Sequence, residues 1–210
     1  MSTNNIKTKA IKVALMGDSE VGKTAICHAF LNVEFILGGT ATVGIDRYDR
    51  KIKLKNKKEI KLILWDTAGE ERYRSAAYKT IKSVHAIALV FDVTKRKSFE
   101  NVNIWLDEIK EHFNNPCLIL LGNKSDLEKE KWEINKEEIE QFAKRRNMAY
   151  FETSAKTRKG IDESFSHVAN VAYEKIEAEK QLGEEEEDDK KIEIKKEDQK
   201  KKNKDRRKKC

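Results

Sequence analysis

Apolar residues run along the chain in two rhythms. Ala86 to Asp92 and Cys117 to Gly122 are short, nearly continuous apolar runs. A strand reads this way when both of its faces are covered. Lys9 to Met16 is a similar run and stops at Gly17. Tyr48 to Lys55 and Ile60 to Asp66 alternate apolar and charged residues on either side of Asn56-Lys57-Lys58, which predicts an antiparallel hairpin. Ala149 to Thr153 predicts a sixth strand. Between these runs the period lengthens. Lys23 to Leu31 reads as a helix, and Ser98 to Phe113 sets Phe99, Val102, Trp105, Leu106 and Ile109 at helical spacing behind Ser98 as N-cap. Ile134 to Arg146 and Ile161 to Ile176 repeat that period. Strands alternating with helices predict an α/β fold, with a mostly parallel sheet and one antiparallel edge strand.

Charge divides the chain. Of its 210 residues 39% are charged, against about 25% for an average domain. The excess is concentrated: Glu184 to Cys210 holds 22 charged residues in 27 positions. Glu184 to Asp189 is unbroken acid, and Lys200 to Lys209 carries eight bases against one acid. Such blocks bury no apolar area and are expected to be disordered. The organisation that follows is a flexible N-terminus over 1–8, a domain over 9–178 and a charged tail over 179–210. The first 183 residues hold 32 bases and 27 acids without an evident basic stripe, so a nucleic-acid surface is not expected. Cys27, Cys117 and Cys210 are an odd number without metal-ligand spacing, which argues for a reducing compartment. No apolar run approaches the ~20 residues of a membrane span, and the N-terminus has the composition neither of a signal peptide nor, with Ser2, of a myristoylation site.

The chemistry starts where the first strand ends. Gly17-Asp18-Ser19-Glu20-Val21-Gly22-Lys23-Thr24 fits G-x-x-x-x-G-K-[ST] between a predicted strand and a predicted helix. Glycine lets backbone wrap a phosphate, and the N–H groups of Ser19, Glu20, Val21, Gly22, Lys23, Thr24 and Ala25 would face the anion. Lys23 would reach the β- and γ-phosphates and Thr24 would ligate Mg²⁺. Asn123-Lys124-Ser125-Asp126 follows a buried strand. The Asp126 carboxylate can accept a pair of hydrogen bonds from guanine that adenine does not offer. Asn123 would brace the loop. Asp66-Thr67-Ala68-Gly69 follows another strand; Asp66 can hold Mg²⁺ through water and Gly69 can offer its N–H to a γ-phosphate. Thr42 is a second candidate hydroxyl for the metal, 18 residues beyond Thr24.

Taken in order, GDSEVGKT (17–24), ATVGID (41–46), WDTAG (65–69), GNKSD (122–126) and ETSAK (152–156) resemble the motifs of the Ras superfamily of small GTPases. Trp65 before DTAG, Glu71-Arg72-Tyr73-Arg74 after it, and Phe91-Asp92-Val93-Thr94 make the chain most similar to the Rab family. The resemblance covers roughly Lys9 to Ile176. It implies a P-loop NTPase G domain with a six-stranded sheet and five helices, which binds GTP or GDP with Mg²⁺ and switches between the two states. By position, Phe35 would lie across the guanine plane, and Thr42 would bind Mg²⁺ only in the GTP state. Ala155 would donate its N–H to guanine, Lys156 would flank the base, Lys124 would belong to the base loop, and Ser154 would support it. The implied partners are an exchange factor, an activating protein and effectors of a monomer working in vesicle traffic, cytoplasmic and reversibly on the cytosolic face of intracellular membranes.

Departures from the family pattern shape the rest. Glu70 stands where a glutamine usually orients the attacking water; a carboxylate still accepts from water, yet it adds negative charge and cannot donate when ionised. With Lys23 and Thr42 it forms the expected catalytic set. Glu20 is expected to point outward, since an inward carboxylate would repel a triphosphate. Gly38-Gly39 implies an open first switch. The three family effector aromatics correspond to Arg47, Trp65 and Thr80, of which only Trp65 is aromatic, with Tyr78 nearby. Cys210 is the last residue, without a C-a-a-X box, so a single prenyl group there would need the basic run 200–209 as a second signal at an anionic membrane. The acidic run 184–189 either holds the tail off a membrane or folds back on the basic run. His28, His85, His112 and His167 have no ligand spacing and read as structural. The leading reading is a slow Mg²⁺-dependent GTPase switch; the alternative is a GTP-binding interaction module whose turnover Glu70 makes negligible.

Overall fold

Val13, Leu15, Leu62, Leu64, Leu89 and Leu120 have no exposed surface, and they lie on four neighbouring strands at the centre of a six-stranded sheet. The computed structural model describes residues 10–36, 38, 42, 44–69 and 78–182. The strands are β1 (Ala10–Met16), β2 (Ile45–Lys53), β3 (Glu59–Thr67), β4 (Ala86–Asp92), β5 (Cys117–Asn123) and β6 (Ala149–Glu152). Their order is β2-β3-β1-β4-β5-β6. Only β2–β3 is antiparallel; the other four pairings are parallel. The sheet predicted from the alternating hairpin and the continuous apolar runs is therefore the sheet observed. Every residue of β4 is buried, as its unbroken apolar sequence requires.

Among the described residues the helices are α1 (Lys23–Phe30), α2 (Arg96–Glu100), α3 (Val102–His112), α4 (Lys136–Arg145) and α5 (161–182), with a further helical turn over 78–81. The single helix expected over 98–113 is two helices. Ser98 is not an N-cap: it is buried within α2, where its Oγ accepts from the Asp92 N–H at 3.0 Å and bonds the Lys95 carbonyl at 2.7 Å. Asn135 caps α4 instead, accepting from the Glu138 N–H at 2.7 Å.

Aromatic residues fill one layer of the core, with Phe91, Phe99 and Phe142 in sequence at ring separations of 5.0 Å. Phe30 of α1 meets Phe165 of α5, also at 5.0 Å. Burial of side chains this size contributes about 1.5–3 kcal/mol each. The four histidines lie against structural partners: Tyr48, the Lys12 N–H, Tyr78 and Phe151. Cys27 is buried, and neither it nor Cys117 forms a disulfide. No described helix is long and apolar enough to cross a membrane.

The chain divides into two units, 1–172 and 173–210. In the second unit, residues 173–182 continue the helix, and Tyr173 Oη donates to Glu177 Oε2 at 3.2 Å. Helical residues are described as far as 182; the remainder of the charged tail lies outside the described residues.

Candidate nucleotide site

Residues 17–22 leave β1 and enter α1 through a turn that needs glycine. Gly22 takes φ +96°, and a Cβ on it would lie 2.4 Å from Asn123 Nδ2. Gly22 is also the N-cap of α1 and brings no side-chain hydrogen bond. The first-turn N–H groups of α1 therefore have no side-chain cap, at the end of the helix that carries partial positive charge. Lys23 is 6% exposed and folds over the loop, its Nζ donating to the carbonyls of Gly17 at 2.8 Å and Asp18 at 2.6 Å. Positive charge and uncapped N–H groups together suit a phosphate chain.

Two further groups hold this loop. Asp18 accepts from Trp105 Nε1 at 2.9 Å on one carboxylate oxygen and from Asn101 Nδ2 at 2.7 Å on the other, which ties the loop to the α2–α3 junction. Glu20 takes φ +64°, and its side chain is 76% exposed and paired with Lys95 at 2.9 Å. The outward carboxylate expected there is observed, and the hydrogen bond and charge of Lys95 lower its pKa.

Asp66, at the end of β3, gathers the metal candidates. Its Oδ2 accepts from Thr24 Oγ1 at 2.6 Å and from Thr42 Oγ1 at 3.1 Å, and the two hydroxyl oxygens are 2.7 Å apart. Asp66 is fully buried, and its Oδ1 has no hydrogen-bond partner among the described residues. Burial raises its pKa against the opposing hydrogen bond from Thr24 and charge of Lys23. A buried carboxylate with one oxygen unmet, beside two hydroxyls, is an all-oxygen donor set, and these residues fit Mg²⁺. Gly69 follows, so close to the phosphate loop that a Cβ on it would lie 2.4 Å from the Ser19 nitrogen.

On the other flank Asn123 spans two loops. Its Nδ2 donates to the Val21 carbonyl at 2.8 Å, and its Oδ1 accepts from the Ala155 N–H at 3.3 Å. Ser154 Oγ donates to Asp126 Oδ1 at 2.6 Å and accepts from the Thr157 N–H at 3.0 Å. Lys124 takes φ +65° and its Nζ lies 2.7 Å from Asp92 Oδ2. Asp92 is 1% exposed and accepts the Thr94 N–H and hydroxyl on its other oxygen.

The phosphate, metal and base candidates thus converge at the C-terminal ends of β1, β3 and β5, the crevice where open α/β sheets bind ligands. Phe35 and Lys156 are exposed, and Ala25 is half-buried. Thr80 is exposed, whereas Tyr78 is buried and donates to Glu108 Oε2 at 2.5 Å, so it offers no surface aromatic. The Arg47 guanidinium lies 5.9 Å from the Trp65 ring centroid. Glu70, Gly39 and Cys210 lie outside the described residues. Sequence reasoning missed Asp18 and Asp92 as organisers of the site. An acid closing an otherwise continuous apolar strand was the signal for Asp92; nothing local marked Asp18.

A family model described as the Ras family matches residues 12–174. The chain is 41% identical over 162 residues to "Ras-related protein Rab-26" of Bos taurus, covering 76% of this chain and 62% of that protein. It is 36% identical over 166 residues to "Ras-related protein RABA4b" of Arabidopsis thaliana, covering 79% and 73%. With "Ras-related protein Rab-26" of Mus musculus it shares 38% over 170 residues, 80% of this chain and 65% of the relative. The chain thus spans less than two thirds of either Rab-26.

Proposed function

This chain belongs to the Ras family, among its Rab-type small GTPases, and from that premise we propose that it is a GTP/GDP switch with slow, Mg²⁺-dependent hydrolysis of GTP. The observation that carries the proposal is the cluster of Thr24, Thr42 and Asp66, because it joins the phosphate loop to a residue of the first switch through one buried carboxylate.

In this reading the loop N–H groups from Ser19 to Ala25 and the Lys23 ammonium hold the β- and γ-phosphates. Thr24, Thr42 and Asp66 would hold Mg²⁺, which would supply neutralising charge to the phosphate chain. Asp126 selects guanine while Ser154 holds its other carboxylate oxygen in place. Asn123 keeps the base loop, through Ala155, in register with the phosphate loop; Phe35, Lys124 and Lys156 flank the base. Glu70 stands at the attacking water and accepts a hydrogen bond from it. Among the described arginines, Arg50 and Arg158 pair with Asp162 and Arg96 with Glu138, away from the phosphate loop. An activating protein then supplies the cation that stabilises the transferring phosphoryl group. A monomer anchored through Cys210 and the basic run 200–209 completes the reading, with a role in vesicle traffic at cytosolic membrane faces.

The test is to identify the nucleotide that copurifies with the full chain and to time its hydrolysis. Bound guanine nucleotide with slow phosphate release is the expected result; a chain that is empty and refuses GDP in millimolar Mg²⁺ overturns the reading. Glu70 favours a second reading, a GTP-binding interaction module. No phosphate release in a single turnover, alone and with a broad Rab-type activating domain, would select it.

A further inference from the structure

Residues 47–61 contain eight bases and two acids, a net +6, whereas the first 183 residues together carry 32 bases and 27 acids, a net +5. Outside this one hairpin the domain is therefore close to neutral. No basic stripe was expected from the sequence, because the bases alternate with apolar residues; pairing of β2 with β3 gathers them on one element.

The hairpin presents them outward. Lys51, Lys53, Lys55 and Lys57 are exposed, and none forms an ion pair with a described residue, unlike Lys61, which pairs with Asp49 at 2.8 Å. Lys51 stands directly opposite Lys61 across the ladder, an unfavourable pairing of like charges. Strand β2 is also the edge of the sheet. The Leu54 N–H bonds the Lys58 carbonyl at 2.9 Å, which closes the hairpin. Hydrogen-bonded and non-bonded pairs alternate from that point. The register then makes Ile52 and Arg50 the bonded positions and turns the backbone N–H groups of Lys51 and Lys53 away from β3. The tip is held in place, since the Lys55 N–H donates to Asn170 Oδ1 at 2.9 Å.

Beside this edge lies a cavity of about 580 Å³, between the end of α1 and the start of α5. Arg50 and Arg158 line it and share the single carboxylate of Asp162. The Arg50 guanidinium is stacked on the Phe30 ring at 3.9 Å and donates to the Phe30 carbonyl at 2.6 Å. Lysine ammoniums at an exposed tip, outward N–H groups and a recess with excess positive charge all suit phosphate oxygens. The hairpin adds no exposed aromatic on which a nucleic-acid base could stack.

We infer that the β2–β3 hairpin is a membrane-docking surface that binds the phosphate groups of an anionic phospholipid leaflet, with the cleft at Arg50 and Arg158 receiving a headgroup. This deepens the membrane part of the function proposed above and turns the edge of the sheet toward the bilayer.

The test uses the full chain loaded with GDP and Mg²⁺, and co-sedimentation with vesicles of phosphatidylcholine alone or mixed with phosphatidylserine. A hairpin variant carries Lys51→Gln, Lys53→Gln, Lys55→Gln and Lys57→Gln. A control of equal charge carries Lys97→Gln, Lys110→Gln, Lys131→Gln and Lys144→Gln, all exposed and elsewhere on the domain. At about fivefold per lysine, the hairpin variant is expected to bind phosphatidylserine vesicles about six hundredfold more weakly, and the control nearly as the parent. Equal losses in the two variants would assign the effect to net charge and overturn the inference. Unchanged binding by the hairpin variant would overturn it too, as would a variant that loses RNA or an acidic protein but keeps the vesicles. GDP retention, measured on the same preparations, separates failure of the nucleotide reading from failure of this one.

Discussion

Asp126 has one carboxylate oxygen occupied by the Ser154 hydroxyl at 2.6 Å, which fixes the orientation of the whole group. In the function proposed above, selection of guanine depends on the acceptors that remain. Asp126→Asn replaces an acceptor by a donor, so the preference for GTP over ATP is expected to fall by about a hundredfold or more in competition binding; unchanged selectivity refutes the assignment. Glu152, two residues before Ser154, shows how a structural acid behaves. Burial pushes its pKa up most strongly, yet the hydrogen bond from Lys159 at 2.9 Å and the charges of Lys129 and Lys136 together hold it below the ordinary glutamate value. A lowered folded pKa contributes stability above the unfolded value of about 4.3 that is lost as pH falls through the folded one. Glu152→Gln is therefore expected to cost about 1 kcal/mol at neutral pH, and the gap from the parent should close in acid melts as the pH falls below the ordinary glutamate range. Single residues of this kind were legible where a motif named them: Lys23, Thr24, Asp66 and Asn123 were expected at the site and converge there. Asp18 and Asp92 were not, because their partners lie 83, 87 and 32 positions away along the chain and only the folded sheet brings them together.

At the scale of elements, hydrophobic period located all six strands, since each is bounded by a change from period two or a continuous run to a polar turn. It could not find the break between α2 and α3, because the apolar stripe from Phe99 to Ile109 continues through it. At the break Asn101 turns its side-chain amide to Asp18, while Ser98 bonds the backbone of Asp92 and Lys95 at the start of α2. That junction is thereby fastened to the phosphate loop. Trp105→Phe keeps the ring in the core but leaves Asp18 Oδ1 without its indole donor. The expected cost is about 1–3 kcal/mol in a denaturant melt, together with faster release of GDP as Asp18 loses one of its two bonds to the α2–α3 segment. A stability loss with unchanged release would make the tether purely structural. Gly22→Ala probes the opposite flank. Its Cβ would meet the Asn123 amide at 2.4 Å in a backbone conformation that favours glycine, so nucleotide affinity is expected to fall more than the melting temperature.

For the whole molecule, the question is whether the chain turns GTP over or holds it, and the two flanks of the site bear on it unequally. In the function proposed above, the phosphate loop, Asp66 and the base loop follow the C-terminal ends of β1, β3 and β5, so affinity is expected to depend mainly on the sheet. In that proposal turnover depends in addition on residue 70, next in sequence after Gly69, and on a cation brought by a partner. A side chain that meets water and the γ-phosphoryl group only during reaction changes the rate and leaves binding almost fixed. Glu70→Gln removes a negative charge beside a group already rich in it and restores a donor. Single-turnover hydrolysis by the isolated chain is therefore expected to rise about tenfold or more, with GDP and GTP affinities unchanged within a factor of about two. The same substitution should matter less once an activating protein supplies its own polar groups, so the ratio of variant to parent rates is expected to shrink in its presence. Equal rates without the partner would make Glu70 a bystander. A slower variant would mean that the carboxylate accepts the proton of the attacking water, and the rate of the parent would then follow the ionisation of Glu70 as pH is lowered.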